Sequence, residues 1–172
     1  MDQIGVMGAG TMGGGIAQAA AQAGLRVRML DLSEALVKAG VEKIGMSLSR
    51  SVEKGRLTPH EKDEILSRIG PTVDLEELKD CRLIIEAVFE DLALKLDLFR
   101  RLETVCPPET ILASNTSTLS ITRIAAGISG SARVLGVHFF NPVPAMRLVE
   151  VIPGIQTSRQ VVQKGIDFVK GI

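Results

Sequence analysis

The sequence predicts an α/β fold: a doubly wound, mainly parallel sheet with a helical hairpin inserted after the second strand. Three observations predict it. Short apolar runs alternate with longer segments of helical period, the signature of repeated strand–helix units. The first, third and fifth of those runs are almost continuously apolar, as parallel strands covered on both faces require. The chain has 172 residues, 45% hydrophobic and 23% charged, which suits one domain with a sizeable core and not a disordered segment.

The elements follow in order. Ile4–Met7 reads as the first strand and the Ala-rich segment Thr11–Ala23 as the helix after it. Val27–Leu30 is the second strand. In Ala35–Glu53 the apolar residues Val37, Val41, Ile44, Leu48 and Val52 recur at spacings that form one helical stripe. Thr58-Pro59-His60-Glu61 reads as a capping box with Pro at the first helical position, opening the second arm of the hairpin. Asp74 with Glu77 suggests a further helix start. Leu83–Val88 is the third strand, and Asp91–Val105 is an amphipathic helix stopped by Pro107-Pro108. Ile111–Ala113 and Val134–Val137 are the remaining strands, and Thr157 with Gln160 is expected to cap a last helix running to about Lys170.

Composition excludes several classes of function. Twenty Lys and Arg balance twenty Asp and Glu, so no overall basic field exists to hold nucleic acid or an anionic membrane. Aromatic residues are only 3%, too few for base-stacking platforms. No stretch is long and apolar enough for a membrane span. Cys81 and Cys106 show neither disulfide nor metal spacing and read as reduced, buried thiols. The first residues lack the basic and apolar regions of a leader, so a cytoplasmic location is expected.

The glycines are concentrated. Gly8-Ala9-Gly10-Thr11-Met12-Gly13 matches GxGxxG, directly after a strand and at the start of a helix, the context in which that pattern binds dinucleotides. Gly8 permits the tight turn, Gly10 lets backbone approach a pyrophosphate, and Gly13 lets the helix pack on the strand. The helix N-terminus supplies free N–H groups to the anion. Asp31 ends the second strand about 20 positions further on, where a carboxylate accepts from ribose hydroxyls and repels a 2′-phosphate. Leu32 and Ser33 follow with no Arg to receive such a phosphate, so a Rossmann-type site for NAD is expected, not one for NADP.

For chemistry there are two histidines. His60 sits among charged residues and reads as surface. His138 ends an apolar strand, where open α/β sheets place their ligands, and an imidazole can exchange a proton near neutral pH. Glu150 ends the next apolar stretch and can orient that imidazole. Ser117, in Ser114-Asn115-Thr116-Ser117-Thr118, follows another strand end and offers a hydroxyl. On pattern alone these readings compete with a core histidine, a salt-bridging glutamate and a loop-capping serine. Ser47, Arg50 and Lys54 share one polar helical face, either a solvated surface or a phosphate contact.

Together these segments resemble the NAD-binding half of the 3-hydroxyacyl-CoA dehydrogenase family, close to its 3-hydroxybutyryl-CoA branch. The residues that carry the resemblance are Gly8 to Gly13, Glu90-Asp91-Leu92 with Lys95, Ala113 to Ser117, His138-Phe139-Phe140-Asn141-Pro142-Val143-Pro144 and Leu148-Val149-Glu150-Val151. The resemblance spans essentially all of residues 1–172. It implies oxidation of (S)-3-hydroxyacyl-CoA by NAD⁺ to the 3-ketoacyl-CoA. His138 is implied as general base, Glu150 as its paired carboxylate, and Ser117 as the serine beside the substrate oxygen and the nicotinamide. Glu90, Lys95 and Asn141 are implied at the nicotinamide-ribose side, with Asn115 shaping the same pocket. Coenzyme A contacts are implied at Ser47 and Lys54.

Family members continue into a second, helical domain that supplies most of the dimer interface, one wall of the acyl cleft and a further active-site Asn. None of it lies in these residues. The chain is therefore expected to bind NAD(H) and to turn over slowly or not at all, and an NAD-binding module without turnover is the competing reading. Thr118 stands where a second Ser is common. A related dehydrogenase with a catalytic Lys is a third reading, and the His138 and Glu150 pairing speaks against it.

Overall fold

The computed structural model describes residues 1–172. Seven strands form one sheet: β1 (Gln3–Met7), β2 (Arg26–Leu30), β3 (Ile69–Thr72), β4 (Leu83–Glu86), β5 (Ile111–Ser114), β6 (Val134–Phe139) and β7 (Val149–Pro153). Their order is β3-β2-β1-β4-β5-β6-β7, parallel throughout except for the antiparallel β6–β7 pair. The helices are α1 (Thr11–Gln22), α2 (Glu34–Glu53), α3 (Pro59–Ser67), α4 (Leu92–Val105), α5 (Ile121–Ala125) and α6 (Arg159–Lys170).

The sheet is covered on both faces. One core layer joins Ile4, Val6, Met29 and Val137 to residues of α1, α2, α3 and α6, such as Ile16, Ile44, Ile65 and Phe168. The other joins Met7, Ile84 and Leu112 to Phe99 and Leu102 of α4 and Ile124 of α5. Central strands buried on both sides explain the continuous apolar runs of β1, β4 and β6. The hairpin after β2 is α2 and α3, and the expected capping box is present: Glu61 N donates to Thr58 Oγ1 (3.2 Å) and Thr58 N to the Glu61 carboxylate (2.7 Å).

The structure departs from the sequence reading at several elements, each for a local reason. β3, which the sequence reading did not assign, contains Gly70 and Pro71; an edge strand tolerates the missing N–H of Pro71. β7 is a half-exposed edge strand carrying Glu150. α5 is too short for its period to register. Asp74 starts only a single 3₁₀ turn, accepting from Glu76 N (3.0 Å), while Glu77 turns to Thr72 and Arg28. Ser158, and not Thr157, caps α6 by accepting from Val161 N; Thr157 Oγ1 donates to the Val134 carbonyl (2.6 Å). β4 ends at Glu86 and not at Val88, because the Glu86 side chain accepts from Val88 N and turns the chain. No helix is long and apolar enough to cross a membrane.

Candidate active site

The C-terminal ends of β1, β2, β4, β5 and β6 carry most of the expected residues to one edge of the sheet. At β1, Gly8 takes φ +95°, a conformation that favours glycine, and its N–H donates to the Leu30 carbonyl (2.8 Å). A Cβ on Gly13 would lie 1.8 Å from the Gly8 carbonyl oxygen, so α1 packs against the turn only because that side chain is missing. A Cβ on Gly10 would meet nothing within 4 Å. The turn therefore keeps one glycine for packing and one beside open space.

The N-terminus of α1 differs from every other helix start. Ser33, Thr58, Asp91, Ser120 and Ser158 each cap their helix with a side-chain oxygen. Gly10 has no side chain to offer, so the first N–H groups of α1 are left for an external acceptor. Open space at Gly10 and uncapped N–H groups fit a pyrophosphate. Asp31 stands beside this turn. Its Oδ2 accepts from Ala9 N (2.6 Å) and its Oδ1 from Leu32 N (2.7 Å), which orients the carboxylate and leaves acceptor capacity on each oxygen. Ser33, accepting from Leu36 N, is the cap of α2, so Asp31 is not needed there.

A cleft of about 200 Å³ opens between the glycine turn, α2 and the segment after β6. Gly10, Thr11, Ser47 and Asn141 line it; Arg50 and Lys54 do not. Lys43 lines it as well, a residue the sequence reading missed although it sits one turn before Ser47 on the same helix face. A larger cavity of about 580 Å³ lies at the opposite edge of the sheet, among Asp2, Arg82, Glu109 and Lys164, and holds none of the candidate groups.

At β6, His138 pairs in register with Glu150 of β7, and their side chains meet: His138 Nδ1 lies 2.8 Å from a Glu150 oxygen. A carboxylate without its proton only accepts, so Nδ1 is the donor in this contact and Nε2 is the ring nitrogen left for a ligand. Phe140 packs on the imidazole with ring centroids 4.5 Å apart. Asn115, just past β5, is more than a pocket wall. Its Oδ1 accepts from Phe139 N (2.9 Å) and ties the end of β5 to the backbone beside His138. Ser117 is exposed two residues further along the same loop.

Beneath this edge lies a polar cluster that sequence reading found only in part. Lys95 is 1% exposed, and its ammonium reaches Glu86 (2.5 Å), Glu90 (3.2 Å) and the Val88 carbonyl (3.5 Å). The expectation that Lys95 meets a ligand directly is thus altered: its three protons are already directed at protein oxygens. Glu90 reaches the surface. Burial opposes its charged form, but hydrogen bonds from Thr116 and Thr118 and the Lys95 ammonium outweigh this and hold its carboxyl below the ordinary range. Glu86 is fully buried and was missed, because inside an apolar strand a single Glu carries no periodic signal. Breaking one side of a buried ion pair typically costs about 3–5 kcal/mol. The cysteines stand apart from the site. Burial raises both thiols, Cys106 to about 11, so neither presents a thiolate near neutral pH.

A glycine turn at an uncapped helix, an acidic residue at the second strand and a histidine–carboxylate pair on the same edge define a dinucleotide-binding α/β domain equipped for acid–base work. The profile described as "3-hydroxyacyl-CoA dehydrogenase, NAD binding domain" matches residues 3–172, and the chain belongs to that family. It is 49% identical over 158 residues to a probable 3-hydroxybutyryl-CoA dehydrogenase of Bacillus subtilis, covering 92% of this chain and 55% of that protein. It is 43% identical over 169 residues to a 3-hydroxybutyryl-CoA dehydrogenase of Mycobacterium tuberculosis, covering 98% and 59%. The crystal structure of the (S)-3-hydroxybutyryl-CoA dehydrogenase of Ralstonia eutropha superposes with a TM-score of 0.98 at 42% identity, over 99% of this chain and 60% of that one. The chain therefore spans little more than half the length of the relatives it matches, and its cofactor is NAD.

Proposed function

We propose that this chain is the cofactor-binding part of an enzyme that oxidises (S)-3-hydroxyacyl-CoA to 3-ketoacyl-CoA. The observation that carries the reading is the His138–Glu150 pair at 2.8 Å, on the same sheet edge as the glycine turn and Ser117. When bound, NAD⁺ supplies the acceptor for the hydride that leaves the substrate's C3. His138 takes the hydroxyl proton at Nε2, and Glu150 stabilises the imidazolium that forms. Ser117 donates a hydrogen bond to the substrate oxygen. The N–H groups from Gly10 to Gly13 hold the pyrophosphate, and Asp31, oriented by the Ala9 N–H, holds the adenosine ribose; Glu90 faces the nicotinamide ribose with Lys95 beneath it. Asn115 and Asn141 border that pocket. Ser47 faces the coenzyme A carrier from the cleft, and Lys54 attracts its phosphates from outside it.

Relatives at once similar and longer support a division of labour: binding resides in residues 1–172, and full turnover needs the segment that the relatives carry beyond it. A cytoplasmic location goes with this reading, since both thiols are free and buried. The test is NADH consumption with acetoacetyl-CoA, by the chain and by the chain extended with the C-terminal part of the Bacillus subtilis relative. The extended protein turns over, the short chain is slower, and His138→Gln lowers the extended protein's kcat by roughly 10²–10⁴-fold. An extended protein that is inactive, or indifferent to His138→Gln, overturns the reading.

A further inference from the structure

Glu86 has no exposed surface, yet its carboxylate meets three donors. One oxygen accepts from Lys95 Nζ (2.5 Å) and from Val88 N (2.8 Å); the other accepts from Ser114 Oγ (2.6 Å). The contacts continue outward and close on themselves. Thr116 N donates to Ser114 Oγ (3.3 Å), the Thr116 hydroxyl donates to Glu90, and Lys95 reaches the second Glu90 oxygen (3.2 Å). The result is a ring through Glu86, Ser114, Thr116, Glu90 and Lys95, made of hydrogen bonds and closed by the Lys95–Glu90 ion pair. Only Glu90 opens appreciably to solvent, its side chain 40% exposed.

Two arguments give this ring a purpose. A buried ion pair is a weak source of stability, because desolvation consumes most of the attraction; an apolar replacement is often as stable. What such a pair does supply is a fixed arrangement of groups. Its position says which arrangement. Met7 of β1 lies between Leu30 of β2 and Glu86 of β4 in the sheet. A dinucleotide that crosses the strand ends at the glycine turn, with its adenosine at Asp31 on β2, has its other half over β4 and β5. Glu90 and the loop through Asn115 and Ser117 stand there, and both are held by the ring.

We propose that Glu86 is a positioning residue for the nicotinamide half of NAD, holding Lys95 beneath Glu90 and, through Ser114, the loop that carries Asn115 and Ser117. It touches no ligand itself. The inference rests on the nucleotide site described above.

The test compares two nucleotides on the 172-residue chain. NADH, followed by its own fluorescence, reports both halves of the site; ADP, followed by calorimetry, reports only the adenosine half. Glu86→Gln keeps the shape and removes the charge. NADH affinity falls on the order of tenfold, the lower end of what the loss of a group orienting a metal ligand costs, while ADP affinity stays within about twofold. Ser114→Ala, a milder change that leaves the ion pair intact, shows the same selective loss at smaller size and serves if Glu86→Gln does not fold. Equal weakening of NADH and ADP, or unchanged NADH affinity, overturns the proposal by reducing Glu86 to a core residue. If the unsubstituted chain binds ADP but not NADH, the assignment of the second half-site fails with it, and that is visible before any variant is made.

Discussion

Gly10 and Gly13 lie three residues apart in the same turn and do opposite work. At Gly13 an added methyl would overlap the Gly8 carbonyl, so Gly13→Ala must displace α1 or the turn. At Gly10 the methyl meets open space, and φ −73° and ψ −166° suit any L-residue. Gly10→Ala should therefore lower Tm only modestly, since Ala is a poorer N-cap than Gly by roughly 1 kcal/mol, and still weaken NADH binding by about tenfold or more. Gly13→Ala should lower Tm by many degrees or prevent folding. Thermal melts and a nucleotide titration on the two variants check this, and equal melting temperatures would contradict it. Legibility at this scale follows chemistry that local sequence can display. The glycines, Asp31 and His138 announce themselves because each stands at a strand end beside an element boundary. Glu86 does not, since its partners Lys95 and Ser114 lie on other elements. Nor does the link from Asn115 to Phe139, which exists only once β5 and β6 are side by side.

Among the elements, those with a strong period or an explicit cap were legible and short or edge elements were not. The capping box at Thr58 is the plainest case: two orphan N–H groups are satisfied by residues three apart, so the signal is wholly local. Thr58→Ala should destabilise the chain by about 0.5–2 kcal/mol, with faster amide exchange concentrated in α3 and NADH affinity unchanged, because no candidate cofactor group lies on α3. Protection lost evenly over the whole chain would contradict that. β3 and β7 failed to show for the opposite reason. Each is an edge strand, and its pairing is set by a neighbour far away in sequence. β7 matters most for function, because a slip of one residue in its register would carry Glu150 to the other face and away from His138.

For the molecule as a whole, the strand order assembles the site. With β1 between β2 and β4, and β6 two strands further out, the groups read separately from the sequence fall along one edge in the order an extended dinucleotide needs. Alternation of strand and helix was enough to foresee that class of fold; the place of β3 and β7 at the two edges was not, since no local signal ranks strands within a sheet. The relatives are longer than the part that this chain matches, and the proposed function places NAD recognition within these residues and full turnover beyond them. The most direct test of that claim is an equilibrium titration of the 172-residue chain with NADH and with NADPH. Saturable binding of one NADH per chain, at least about tenfold tighter than NADPH because Asp31 meets the extra phosphate, is the predicted result. Failure to bind NADH, or equal affinity for the two, would contradict it.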